Sequence, residues 1–143
     1  MNGCNVINTA SQIEKTVDKS LTSLILRDNN INTPDTWVFR GDDQLFEKVD
    51  KLLEKNILIY KPIFGSQGEN IVKIKNIDDL KKIENSTNIY YLQKFIETKP
   101  SHDYRVLVIS NIKNRKIYSM ARYGKTFINN VSAEFIDKPS EIK

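Results

Sequence analysis

The run Lys61-Pro62-Ile63-Phe64-Gly65-Ser66-Gln67-Gly68 sets a lysine, two glycines, a hydroxyl and an amide directly after the apolar run Ile57 to Tyr60. Gly65 and Gly68 permit dihedrals other residues avoid and let the backbone approach a ligand closely. The N–H groups of Ser66 and Gln67, with the Ser66 hydroxyl, could form an anion-binding concavity. A strand would hold the Lys61 stem while exposing its ammonium as a point charge. The chemistry this suggests is phosphate binding; a tight hairpin turn whose glycines only solve a geometric problem is the competing reading. The loop lacks the Gly-Lys-Ser/Thr ending of a Walker A motif and is not G-x-G-x-x-G.

Other charged residues stand where they could join such a site. Ile13, Val17, Leu21 and Leu24 define a helical stripe expected to be buried, and Lys19 lies off it, either solvated or reaching a cleft. Alternation along Tyr104 to Ile109 places Arg105 with Leu107 and Ile109. A guanidinium there needs an anionic partner, and Asp103 is close enough in sequence to be one. Arg122 falls with Tyr118 and Met120, so two arginines on neighbouring strands could clamp an anionic substrate. Lys113, Arg115, Lys116, Arg122 and Lys125 occur without an acid between Asn111 and Lys125. A basic module contacting RNA or protein is therefore the alternative function, although nucleic acid is not the expected partner. His102 has no second histidine for a common zinc pattern, and Cys4 has no cysteine to pair with.

The elements that must hold these residues follow from periodicity. Of the 143 residues, 39% are hydrophobic and 28% charged, with a net charge of +4. That suits one modest domain or two thin lobes. No apolar run approaches the ~20 residues of a membrane span and no secretory signal is visible, so a soluble, cytoplasmic protein is expected. A helix is predicted over 11–29, with Ser11 and Glu14 at capping-box spacing. Thr36 to Phe39 reads as a strand, Asp43 to Glu54 as a helix and Ile57 to Tyr60 as a buried strand. Beyond the loop, Ile71 to Ile74 reads as a strand and Asp78 to Ile83 as a helix. Strands are then predicted over 89–96, 104–110 and 116–123, with a further one over 125–131. The fold class is α+β, a helix and strand lobe followed by a largely antiparallel strand region. The polar tail from Asp137 is expected to fray.

Taken together, INTASQIEKTVDKSLTSLIL, NINTPDTWVF, LIYKPIFGSQGENIVKI, YLQKFI, HDYRVLVI and YSMARYGKTFINNVS resemble, in order and spacing, the ATP-grasp ligases of the RimK type. The resemblance covers residues 6–132 and implies a partial ATP-grasp domain, with a divergent, disordered tail over 133–143. It implies that Lys19 and Lys61 contact ATP phosphates, that Gly65, Ser66, Gln67 and Gly68 cover them, and that Gln93, Lys94, Phe95 and Ile96 lie along the adenine. Asp103 matches an acidic nucleotide-site position. Arg105 and Arg122 match the basic pair near transferred phosphate and substrate carboxylate, and Asn130 the asparagine closing that side. The implied reaction is ATP-dependent carboxylate–amine ligation, adding glutamate or another amino acid through an acyl phosphate. The implied partners are ATP, a carboxylate substrate and an amino acid co-substrate, besides a second copy or complementary fragment. The family's C-terminal Glu-x-Asn metal motif has no match, so the chain is expected to be a fragment, with Mg²⁺ ligands outside it. Asn70 stands at the usual last loop glycine, a mild change because asparagine tolerates the left-handed region.

Overall fold

The computed structural model describes residues 8–65, 68–99, 101–110, 113–124, 127, 133–135 and 140–142. Its contacts divide the chain into two units, Met1–Ile96 and Glu97–Lys143. The first begins with helices α1 (Ala10–Val17) and α2 (Lys19–Asp28). It continues through β1 (Thr36–Arg40), α3 (Leu45–Leu53), β2 (Leu58–Lys61), β3 (Val72–Ile74), α4 (Ile77–Lys81) and β4 (Ile89–Lys94). The four strands form an antiparallel sheet in the order β1-β4-β2-β3.

Register gives that sheet two unlike faces. Leu58, Tyr60, Ile74 and Leu92 lie on one side and pack with Leu45 and Val49 of α3 and Leu80 of α4 as the buried core. Trp37, Phe39, Val72 and Tyr90 extend it. Because strand side chains alternate, the intervening residues Thr36, Ile59, Lys61, Tyr91 and Gln93 fall on the opposite face. One face therefore supplies the hydrophobic stabilisation, leaving the other free to carry polar chemistry. Asn30 at φ 55° ends the α2 turn, consistent with the predicted stop at the Asp28-Asn29-Asn30 run.

The single helix predicted over 11–29 is broken at Asp18. Its carboxylate Oδ1 accepts from the backbone N–H of Ser20 at 2.7 Å and of Leu21 at 3.1 Å, capping α2 from its first turn. The capping box that starts α1 is Thr9 with Gln12 rather than Ser11 with Glu14. The apolar stripe is not buried as expected: Ile13, Val17 and Leu24 are exposed. A 3.6-residue stripe gives a helix an apolar face without determining what covers it.

Hydrogen bonds from Ser20 and Leu21 hold the Asp18 carboxyl below its ordinary value, with the Ser20 hydroxyl the largest cause. The Asp18 carboxylate therefore stabilises α2 above its unfolded pKa, and that stabilisation is lost as pH falls through the lower folded value. Asp18→Ala should cost about 1 kcal/mol, with the difference from the parent protein shrinking in acid. Urea melts at neutral and acidic pH check this; an equal deficit at both would remove the cap from the explanation.

The second unit holds β5 (His102–Ser110), β6 (Arg115–Gly124), β7 (Ala133–Phe135) and β8 (Ser140–Ile142). They pair antiparallel in the order β5-β6-β7, with β8 also on β6. One of these short strands, β8, thus lies in the tail from Asp137 whose polar composition suggested fraying. Main-chain pairing asks only for hydrogen-bond partners along β6 and needs no apolar period in the tail itself. The predicted strand over 125–131 lies outside the described residues except for Phe127.

Candidate phosphate-binding site

On the polar face of the first sheet, β2 ends in Lys61, whose Nζ donates to Gln93 Oε1 at 2.7 Å. Gln93 Nε2 lies 3.1 Å from Thr36 Oγ1 and 3.4 Å from the Tyr91 hydroxyl. The Tyr91 hydroxyl is 2.7 Å from Ser23 Oγ on α2. Residues separated by as many as 68 positions in sequence are thus joined side by side. A groove of about 790 Å³ runs along α2 and the segment from Thr33 to Val38.

Lys19 reaches the glycine loop from the start of α2. Its Nζ donates to the Gly65 carbonyl at 3.0 Å and to that of Ile63 at 3.5 Å. Its backbone N–H also donates to Ile63 O, at 3.4 Å. Of the two readings of this lysine, the structure supports the one reaching inward. Gly65 has φ 150°, a conformation that disfavours any side chain, although a Cβ there would meet nothing nearer than Pro62 Cβ at 3.7 Å. Gly68 at φ 80° and Asn70 at φ 55° turn the chain back toward β3. Ser66 and Gln67 lie outside the described residues.

Burial pulls both lysines below the ordinary lysine pKa. For Lys61, burial is the larger cause and the nearby Lys19 cation the second; for Lys19, the adjacent Asp18 charge partly opposes the loss. Neither forms a salt bridge among the described residues. Two ammonium groups held by neutral oxygens, with the adjacent Asp18 offsetting Lys19 only in part, are an arrangement suited to an anion.

Gln93 enters the site through its side chain, whereas the residues after it are engaged mainly through backbone. Lys94 N–H donates to Asp35 O and Phe95 N–H to Ile57 O, both at 2.8 Å. Lys73 Nζ sits 3.7 Å from the centroid of the Phe95 ring, close enough for a cation–π contact. Ile96 is exposed. The sequence reading did not single out Thr36, Tyr91 or Lys73. For Tyr91 the signal was available, since it lies two residues before Gln93 and must share its strand face.

In the second unit Asp103 faces Arg122 directly across β5 and β6. Arg122 Nε donates to Asp103 Oδ1 at 2.7 Å, and Nη2 bonds Oδ2, making a bidentate pair. Arg122 is only 7% exposed, and its Asp103 partner holds its pKa above the ordinary arginine value. The anionic partner considered for Arg105 thus belongs to Arg122. Arg105 itself is exposed opposite Met120, so the expected burial cost does not arise. Leu107 and Ile109, on its face, and Val106 and Val108, on the other, are exposed as well. Asn130 lies outside the described residues.

The architecture is of the mixed α+β class, and comparison with known proteins gives the family. The RimK-like ATP-grasp domain matches residues 16–133, and the chain belongs to that family. It is 32% identical over 136 residues to the tetrahydromethanopterin:alpha-L-glutamate ligase of Methanocaldococcus jannaschii, covering 89% of this chain and 45% of that protein. It is 33% identical over 117 residues to the alpha-aminoadipate–LysW ligase LysX of Saccharolobus solfataricus, covering 76% of this chain and 42% of that one. The coenzyme gamma-F420-2:alpha-L-glutamate ligase of M. jannaschii is 24% identical over 131 residues, covering 90% and 46%. The chain spans about half the length of these relatives.

The ammonium groups of Lys19 and Lys61 fit the triphosphate of ATP by charge and by donor type. Mg²⁺ requires oxygen ligands, and the described residues contain no group of three or more His, Cys, Asp or Glu side chains able to hold a metal ion. Among the same residues, no helix is long and apolar enough to cross a membrane.

Proposed function

We propose that the chain is the phosphate-gripping part of an ATP-dependent carboxylate–amine ligase of the cytoplasm, one that adds glutamate or another amino acid to a carboxylate substrate. The observation carrying this reading is Lys19 bonded to the Gly65 carbonyl with its cation acting on Lys61, neither lysine forming a salt bridge among the described residues. Lys19 and Lys61 hold the phosphates, and Gly65, Ser66, Gln67 and Gly68 cover them. Gln93, Lys94, Phe95 and Ile96 flank the adenine. The N–H groups of Lys94 and Phe95 are already committed, which leaves base recognition to the remaining backbone groups of the segment.

The γ-phosphoryl passes to a carboxylate oxygen and ADP leaves. An amine then attacks the acyl carbon, loses its proton and displaces phosphate. Arg105 serves as an electrostatic clamp on the developing charge. Asp103 holds Arg122 in place for the same task, and Asn130 closes that side. When bound, Mg²⁺ neutralises phosphate charge, with ligands outside this chain.

Calorimetry with Mg-ATP and protection of the 65–68 segment from hydrogen exchange test the grip. Heat of binding and slowed exchange are expected; silence at millimolar nucleotide would refute it. The ligase assignment has its own assay, ADP release with glutamate and a panel of carboxylate acceptors. Nucleotide binding with no release from any acceptor would leave the isolated chain a binding domain.

A further inference from the structure

The hydrogen bonds behind Lys61 have a direction that can be worked out from donors and acceptors. Thr36 Oγ1 donates to Pro34 O at 2.9 Å. A carbonyl can only accept, so the hydroxyl proton is committed there and its lone pair must receive Gln93 Nε2. That choice orients the amide. Gln93 Oε1 then faces Lys61 Nζ, whereas a flipped amide would set NH₂ against ammonium, donor against donor. The Tyr91 hydroxyl braces the same nitrogen more weakly at 3.4 Å and is tied to α2 through Ser23.

The register makes this arrangement a product of the sheet. Thr36 lies directly opposite Gln93, and Lys61 directly opposite Tyr91, so all four side chains share one face. We propose that Thr36 and Tyr91 are positioning residues that lock the Gln93 amide, so that its oxygen fixes the Lys61 ammonium for a triphosphate. This role rests on the phosphate reading of Lys61. A neutral amide suits the task better than an acid would: it restrains the ammonium without cancelling the charge a phosphate must meet. Lys19, whose charge acts on Lys61, adds to that field.

The test uses the full chain, with inorganic tripolyphosphate and ATP as binding probes. Acetic anhydride labelling of Lys61, read by peptide mass spectrometry against the exposed Lys48, supplies a readout independent of binding. Thr36→Val should let the amide rotate, speed Lys61 acylation and weaken tripolyphosphate binding by roughly threefold to tenfold. Thr36→Ser, which restores the hydroxyl, should behave as the parent protein in both assays. Tyr91→Phe should shift both in the direction of Thr36→Val, by less. Gln93→Glu should slow acylation, because a carboxylate stabilises the ammonium, yet still weaken tripolyphosphate binding. Unchanged Lys61 labelling in Thr36→Val, or failure of Thr36→Ser to restore it, overturns the positioning role. A parent chain that binds neither probe overturns the phosphate reading instead, and the labelling series remains decisive for the lock.

Discussion

Lys61→Ala is expected to weaken ATP binding by about 10- to 100-fold, the range for losing a hydrogen bond to a charged group. Lys61 is partly buried, lacks a salt bridge among the described residues and is oriented by Gln93. Little of its ordering therefore remains to be done when a phosphate arrives. Its lowered pKa also sets opposite pH trends for binding and stability. Affinity should fall as pH rises through the depressed value, since the neutral amine does not attract phosphate. Stability should move the other way. The cost of burying the ammonium is fully present below the folded pKa, and is relieved as pH climbs toward the ordinary value of 10.5. Calorimetric titrations across alkaline pH would show the fall in affinity, and it should be attenuated in Lys61→Ala. Affinity that is flat with pH, or an unchanged Kd in the variant, would mean that Lys61 does not face the phosphates.

The second large effect concerns the pair in the other unit. Asp103→Ala leaves the Arg122 guanidinium, 7% exposed, without its carboxylate. Breaking a buried pair from one side is far more costly than removing both partners, because an uncompensated charge stays behind. The Asp103 side chain is 38% exposed, so water screens part of the interaction. The expected loss is about 2–3 kcal/mol, at or under the low end of the range for a fully buried pair. Combining Asp103→Ala with Arg122→Met should recover most of it. Denaturant unfolding of the single and double variants measures the coupling. If the double variant were no more stable than Asp103→Ala alone, the stranded charge would not be the cause.

Some elements were plain in the residues. Leu45, Val49, Leu52 and Leu53 recur at helical spacing, and α3 puts Leu45 and Val49 in the core with Leu52 and Leu53 against it. Ile57 to Tyr60 is apolar and largely β-branched or aromatic, and β2 occupies nearly the same span with Leu58, Ile59 and Tyr60 buried. Such features depend on neighbours within one or two turns or one strand.

The errors came where a local signal was ambiguous or incomplete. Asp18 sits inside a continuous apolar stripe, so the break between α1 and α2 was hidden. It emerges because Asp18, Ser20 and Leu21 satisfy one another locally, a competitor to helix continuation. Asp103 lies two residues from Arg105 in sequence, yet its guanidinium partner is Arg122, set opposite by antiparallel register.

By itself the sequence determined the α+β class, most element positions, the glycine loop and membership of an ATP-grasp family, because each is written in composition, short-range period or ordered motifs. Only the tertiary structure decided which cations meet. Lys19 reaches Gly65 across 46 residues and Lys61 reaches Gln93 across 32, separations at which no periodicity constrains a side chain. Cross-strand register and the seating of α2 on the loop bring those groups within hydrogen-bond range. Burial then gives the lysines a depressed pKa that composition alone could not reveal.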